Sequence, residues 1–225
     1  MLEILPCELN QNRVKDISDL RHRNDLAHWT VKLAYHLKST NQTESLRSLI
    51  NSIPREIANE PALVQLRADF MPPREWGNNE VVIYCGPGFE QWSPKSVSRG
   101  IGGSEEAVIN MSRELTKLGW KVTVYADPME DQGIYDGVNW LPHYHFNIKD
   151  SFNILISWRQ IGMWDFPIKA KKSYLWNHDI QNGLTYTKER VDKIDKVMFL
   201  SKFHRSNVLL LAEDKVFYTG NGIQL

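Results

Sequence analysis

Cysteine is nearly absent. Cys7 and Cys85 are the only two in 225 residues, and they lie far apart in the chain. A small fold stapled by several disulfides is therefore excluded, and Cys85, which ends an apolar run, reads as a buried reduced thiol. A reducing, cytoplasmic setting is the expectation. Net charge is absent too: 27 Lys and Arg balance 27 Asp and Glu. Bulk charge thus gives no footprint for nucleic acid or any other polyanion. No apolar run reaches the length of a membrane helix, and the start lacks a signal peptide's basic region and small-residue cleavage site. A soluble protein without a transmembrane segment is expected. No fixed period recurs, which excludes a solenoid array.

What is present centres on residues 81–118. Val81-Val82-Ile83-Tyr84-Cys85 is a short β-branched and aromatic run, the pattern of a buried strand. A long loop with Gly86, Pro87, Gly88 and Pro94 ends in Gly100-Ile101-Gly102-Gly103. Ser104 stands where a helix N-cap belongs, with Glu105 and Glu106 in the first turn. Val108, Met111, Leu115 and Leu118 follow at helical spacing, Gly119 is placed to end the helix, and residues 120–126 read as a second strand. The unit is βαβ, a Rossmann-type opening. At Gly102 and Gly103 the backbone can approach a ligand closely, and N–H groups at the helix start can face an anion. It is not the dinucleotide fingerprint, because Glu105 stands where the third glycine belongs and the preceding loop is too long. The paired glutamates also disfavour a fully charged phosphate lying directly on this helix. Hydroxyls, or a phosphate anchored mainly elsewhere, fit better.

Residues 1–78 differ in character. Leu26, Trp29, Leu33 and Leu37 mark an amphipathic helix over 25–38, Thr43 can cap a second, and a third runs from about Pro61. Together they predict an all-α extension, either a cap on the α/β unit or a partner-docking module. Beyond the second strand, residues 127–137 read as loop, 138–141 as a short strand, and 152–157 as a longer one followed by Trp158-Arg159-Gln160. Ser173 to Trp176 is another strand, with Asn177-His178-Asp179 at its end. Helix is expected over 186–194 and from Ser201 to about Leu211, with strands at 196–200 and 216–218. The fold class is therefore α/β, a Rossmann-like, mostly parallel sheet flanked by helices, at 79–225. Gly102, Arg159 and His178 then fall at one carboxyl edge, where open parallel sheets bind ligands. His143 and His145 have no Cys or carboxylate cluster at ligand spacing, so no metal is expected. The eight tryptophans include Trp92, Trp158 and Trp176 close to these segments. Their faces could stack on sugar C–H surfaces.

In this order, W-S-P, G-I-G-G-S-E-E, "LTKLGWKVTVYAD", "NILISWRQ", "KKSYLWNHD", "DKVMFLSKFHRSNV" and "YTGNGI" resemble the N-terminal domain of GT-B glycosyltransferases of the retaining family 4. The match covers roughly residues 80–223. The resemblance implies transfer of a hexose from a nucleoside-diphosphate sugar to an acceptor hydroxyl with retention, without metal or other cofactor. It implies that His178 contacts the transferred sugar, with Asp179 in support. Gly102, Gly103 and Ser104 would lie at the donor phosphate, and Trp92, Arg99, Trp158, Arg159 and Asn177 at acceptor or sugar. The implied partners are a nucleotide-sugar donor, a carbohydrate or glycan acceptor, and a C-terminal donor-binding domain in cis or in a partner. That domain, with its basic pair and its E-x7-E pair, would begin where these 225 residues stop, so the chain is expected to be the acceptor-side half of the enzyme.

Two other classes remain open. One is a non-catalytic carbohydrate-binding or assembly module derived from such a domain. The other is a small Rossmann enzyme using NAD or S-adenosylmethionine. Asp127 after the second strand could meet a ribose, but the first loop suits neither cofactor.

Overall fold

The computed structural model describes residues 20–220 apart from residues 59, 89, 181, 209 and 210. Cys7, residues 209 and 210 of the helix expected to reach Leu211, and residues 221–223 of the expected interdomain turn lie outside the described residues. The chain divides into two compact units, Met1–Pro72 and Pro73–Leu225.

The first unit is helical: α1 (Leu20–Ser39), α2 (Thr43–Asn51) and α3 (Pro61–Phe70). The face of α1 that is buried is not the large-residue stripe. Ala27, Thr30 and Ala34 are buried, while Trp29 is 63% and Leu33 38% exposed. Small residues let neighbouring backbones come close, and Leu46 and Ile50 of α2 and Leu63 and Leu66 of α3 fill the core. Thr43 does not cap α2; Gln42 holds that position and provides no side-chain bond. Pro61 opens α3, where its missing N–H costs nothing.

The second unit is a sheet of eight strands: β1 (Glu80–Tyr84), β2 (Lys121–Ala126), β3 (Gly133–Tyr135), β4 (Val138–Pro142), β5 (Ser151–Trp158), β6 (Lys169–Trp176), β7 (Lys196–Phe199) and β8 (Val216–Tyr218). Their spatial order is 3-4-2-1-5-6-7-8. Every pairing is parallel except β3 with β4. The unit is Rossmann-like. Alternate residues of the central strands feed two cores, one on each face. Val82, Leu155, Leu175, Val197 and Phe199 join Trp164, Tyr186, Val191 and Leu211 on one side. Val81, Ile83, Val122, Val124, Ile156, Trp158, Trp176 and Met198 meet Val108 and Ile109 of α4 (Gly103–Lys117) on the other.

The chain steps from β1 outward to β2 and β4, then returns to β5 on the other side of β1 and continues to β8. The strand order therefore reverses between β1 and β5, and a crevice at such a reversal is where open sheets take ligands.

Several local expectations change. The helix α4 begins two residues early: Gly102 is its N-cap, and Ser104 lies inside the first turn. Its C-terminus follows sequence logic, since Gly119 adopts φ +93°, with Gly119 N–H on Thr116 and Trp120 N–H on Leu115. Within the expected loop 127–137, residues 133–135 pair with β4 through a two-residue turn at Asp136-Gly137, both at positive φ. Strand β6 starts at Lys169, earlier than its apolar end suggests, because Lys169, Lys171 and Lys172 are exposed there. The two helices expected after β6 and β7 shorten to α5 (Lys188–Val191) and α6 (Lys202–Ser206). Ser201 does cap the latter, accepting from His204 N–H at 3.0 Å.

Candidate functional site

The carboxyl ends of β1, β5 and β6 carry a cluster organised around Arg159. It follows β5 directly, its N–H donates to Trp176 O at 3.0 Å, and it adopts φ +64°. A non-glycine residue in this left-handed region costs about 1–2 kcal/mol, and such positions concentrate at functional sites. The cost is offset by what the guanidinium reaches. Nη1 donates to Glu105 Oε1 at 3.0 Å, and Nη2 to Ser104 Oγ at 2.7 Å. Nη2 also donates to Asp179 Oδ1 at 3.1 Å, and Nε lies 2.7 Å from Asp179 Oδ2 as an ion-pair contact. Its plane covers the Trp158 ring, 4.2 Å from the centroid. One arginine thus ties the glycine-loop helix to the turn after β6.

Ser104 is thus a bridge between charged groups. It accepts from Arg159, and its hydroxyl donates to Glu105 Oε2 at 2.7 Å. Glu105 curls back over the start of its own helix: a Cβ on Gly102 would lie 2.3 Å from Oε2. That is the close approach for which Gly102 is needed. Gly103 has open space around its Cβ position. The positive end of α4 accordingly faces its own carboxylate.

Across β5 and β6, Trp158 pairs with Trp176 in register, and both are buried, at 2% and 3% exposure. His178 sits against them, 5.9 Å from the Trp158 ring and 4.7 Å from Trp176. Asn177, between Trp176 and His178, is fully buried at 0%. These four residues share an unusual property. Trp158 Nε1, Trp176 Nε1, both amide atoms of Asn177 and both ring nitrogens of His178 are buried without a hydrogen-bond partner among the described residues. Asn177 comes near enough to the Tyr186 phenol to lower its otherwise burial-raised pKa, without the geometry of a full hydrogen bond. Native proteins leave few such atoms, and each calls for an explanation such as strain, an ordered water or an ion.

Burial, aided by the Arg159 charge, lowers the His178 pKa to about 4. The ring is neutral at pH 7, with one donor and one acceptor nitrogen. The Cys85 thiol, beneath the cluster, is pushed well up by burial and then by Glu105, so it is neutral as well. Glu105 and Asp179 against Arg159 leave the cluster with one net negative charge.

The expected site residues do not all converge. Gly102, Gly103, Ser104, Trp158, Arg159, Asn177, His178 and Asp179 come together. The Asp179 carboxylate turns to Arg159 and leaves the His178 ring nitrogens alone. Trp92 is buried, packing on Trp140 at 5.6 Å and Trp158 at 5.9 Å, so its ring is core wall. Arg99 is exposed at the end of the turn Pro94–Arg99, where its charge acts on Asp131.

His204 is the residue that sequence reasoning missed. Its Nε2 lies 2.6 Å from Asp179 O, and Leu200 N–H points to Nδ1 at 3.4 Å. A carbonyl only accepts, so Nε2 carries the proton, and the ring fixes the 177–179 turn from β7's side. The spacing S-x-x-H after a strand was the available signal. Gln160 is a second omission: Nε2 donates to Cys85 O at 3.1 Å, packing over Gly86 at φ +67°.

No family model, curated protein or solved structure matches the chain. Among the described residues, no helix is long and apolar enough to cross a membrane.

Proposed function

We propose that this chain is the acceptor-side half of a GT-B, family 4-like retaining glycosyltransferase, moving a hexose from a nucleoside-diphosphate sugar to an acceptor hydroxyl. The observation that carries the reading is the gathering of Ser104, Glu105, Arg159, His178 and Asp179 at the strand-order reversal. These are the segments on which the sequence resemblance rests, and ligands of Rossmann-like sheets lie there. In the reaction, the bond between the sugar's anomeric carbon and the donor phosphate oxygen breaks. A new bond to the acceptor oxygen forms on the same face, and the acceptor's proton passes to the leaving phosphate. This half positions and polarises. Neutral His178 offers a hydrogen bond to a hydroxyl of the transferred hexose, and His204 holds the turn on which His178 stands.

The test is ligand-observed NMR on the 225-residue chain with UDP-, GDP- and dTDP-sugars and the free nucleotides. Saturation of sugar protons that is lost in a folded His178→Ala variant supports the reading. Saturation unchanged in that variant removes His178 from the mechanism. When the chain is supplied with a donor-binding domain, His178→Ala is expected to reduce transfer by about 100-fold, the scale of one lost hydrogen bond to the reacting group. Sugar binding without turnover in that mixture would favour a non-catalytic carbohydrate module.

A further inference from the structure

The strand-order reversal divides the second unit into two halves, β3-β4-β2-β1 with α4 and β5-β6-β7-β8 beyond it. At the carboxyl ends of the strands, side-chain hydrogen bonds from one dipeptide bridge the halves. Arg159 reaches back to Ser104 and Glu105 in the first turn of α4, and forward to Asp179 after β6. Gln160, beside it, donates to Cys85 O at the end of β1. Asp179 is itself held twice, its carboxylate by Arg159 and its carbonyl by His204 of α6. Among the described residues, no backbone hydrogen bond links residues 101–106 to residues 177–180. The helix start and the turn therefore meet through Arg159.

The tie is modest in strength. The side chains of Arg159, Glu105 and Asp179 are 23%, 21% and 56% exposed. Partly hydrated ion pairs of this kind each shift a closed-to-open ratio by up to about five-fold. The left-handed backbone at Arg159 works against them by a factor of about 5 to 30. Ties and strain are of the same order, which makes a contact that can let go.

We propose that Arg159 is a latch across the strand-order reversal, and that the start of α4 and the turn after β6 open and close as one unit because a single guanidinium holds both. When the latch opens, Glu105 and Asp179 turn to water and the Arg159 backbone leaves the left-handed region. The first turn of α4 and the end of β6 then fray together, a local opening short of unfolding. An element with two states, biased from both sides, is what couples distant segments physically. The latch is a property of the chain by itself and does not depend on the transferase reading.

Amide hydrogen exchange, followed by NMR on the 225-residue chain, tests the latch. Glu106 N–H, bonded to Gly102 O, reports the helix start, and Asn177 N–H, bonded to Met198 O, reports the base of the turn. The controls are Trp120 N–H on Leu115 O at the far end of α4, and Trp76 N–H on Ser151 O at the amino end of β5. Asp179→Asn is expected to speed exchange at Glu106, on the other side of the latch, by about five-fold. Glu105→Gln should speed Asn177 by as much, and both controls should stay unmoved. Added salt should speed the two reporters of the unaltered chain by a common factor, because partly hydrated ion pairs are screened. Faster exchange only on the side that carries the substitution would overturn the proposal and leave two independent ion pairs. Equal acceleration at the controls would overturn it too, since the whole unit would then be loosening. Reporters that part company as salt rises would show that the two segments do not open together.

Discussion

The two ends of strand β5 use the same vocabulary to opposite purpose. At the amino end, Asp150 accepts from Trp76 Nε1 at 2.9 Å and from Arg74 N–H at 2.8 Å, while the Arg74 guanidinium covers the Trp76 ring at 3.8 Å. At the carboxyl end, Arg159 covers Trp158 and grips Asp179. Both ends therefore stack an arginine on a tryptophan beside a carboxylate. The amino end is closed, with its indole N–H satisfied by Asp150, and Trp76 belongs to the core. At the carboxyl end two indoles, an amide and an imidazole are buried and unmet among the described residues. The pairing of residue types is the same at both ends. The count of unsatisfied atoms is what separates them.

The comparison can be broken most sharply at the closed end. Asp150→Ala strands the buried Trp76 indole N–H and the Arg74 amide, and should cost about 3 kcal/mol in urea unfolding. Trp158→Phe removes an N–H that nothing accepts, and should cost far less. Equal losses at the two ends would erase the distinction. Acid provides the next test, with opposite signs. His178 titrates near 4 in the fold and near 6.5 unfolded. Its contribution is therefore complete above pH 6.5 and lost as pH falls toward 4. That loss is about 2 kcal/mol after allowance for partial exposure, with Arg159, Glu105 and His204 the charged or titratable neighbours. Asp150 is raised by burial, so the closed end gains stability as pH falls through the range between its unfolded and folded values. His178→Ala should flatten the first slope, and NMR titration of its ring should show a midpoint near 4. The smallest effect concerns the backbone. Arg159→Gly should be about 1 kcal/mol more stable than Arg159→Ala, since both lose the clamp and only glycine accepts φ +64° freely. Equal stabilities would mean that the left-handed turn is not kept in either variant.

The sheet was largely legible in the chain because its strands are short apolar runs buried on both faces, as Val81 to Ile83 illustrate. Their carboxyl ends, and so the neighbourhood of Gly102, Arg159 and His178, followed from the alternation of strands and helices. What escaped depended on partners distant in sequence. That Glu105 and Asp179 would both reach Arg159, 54 and 20 positions away, is not a local property. The ring of Trp92 is core wall because Trp140 and Trp158 close on it, which neither hydropathy nor spacing reveals. The hairpin at Asp136-Gly137 was a readable omission, since Asp-Gly between Tyr135 and Val138 is a strong short-range turn signal. On α1 the conspicuous residues misled: Trp29 and Leu33 are large and exposed, while Ala27 and Ala34 are small and buried.

The left-handed Arg159 also makes the chain's history readable. Glycine would suit that backbone better, so drift alone would replace arginine there once nothing depended on the side chain. Among descendants of a common ancestor, arginine kept at this position would mark those in which the clamp on Glu105 and Asp179 is still selected, and glycine those in which it is not.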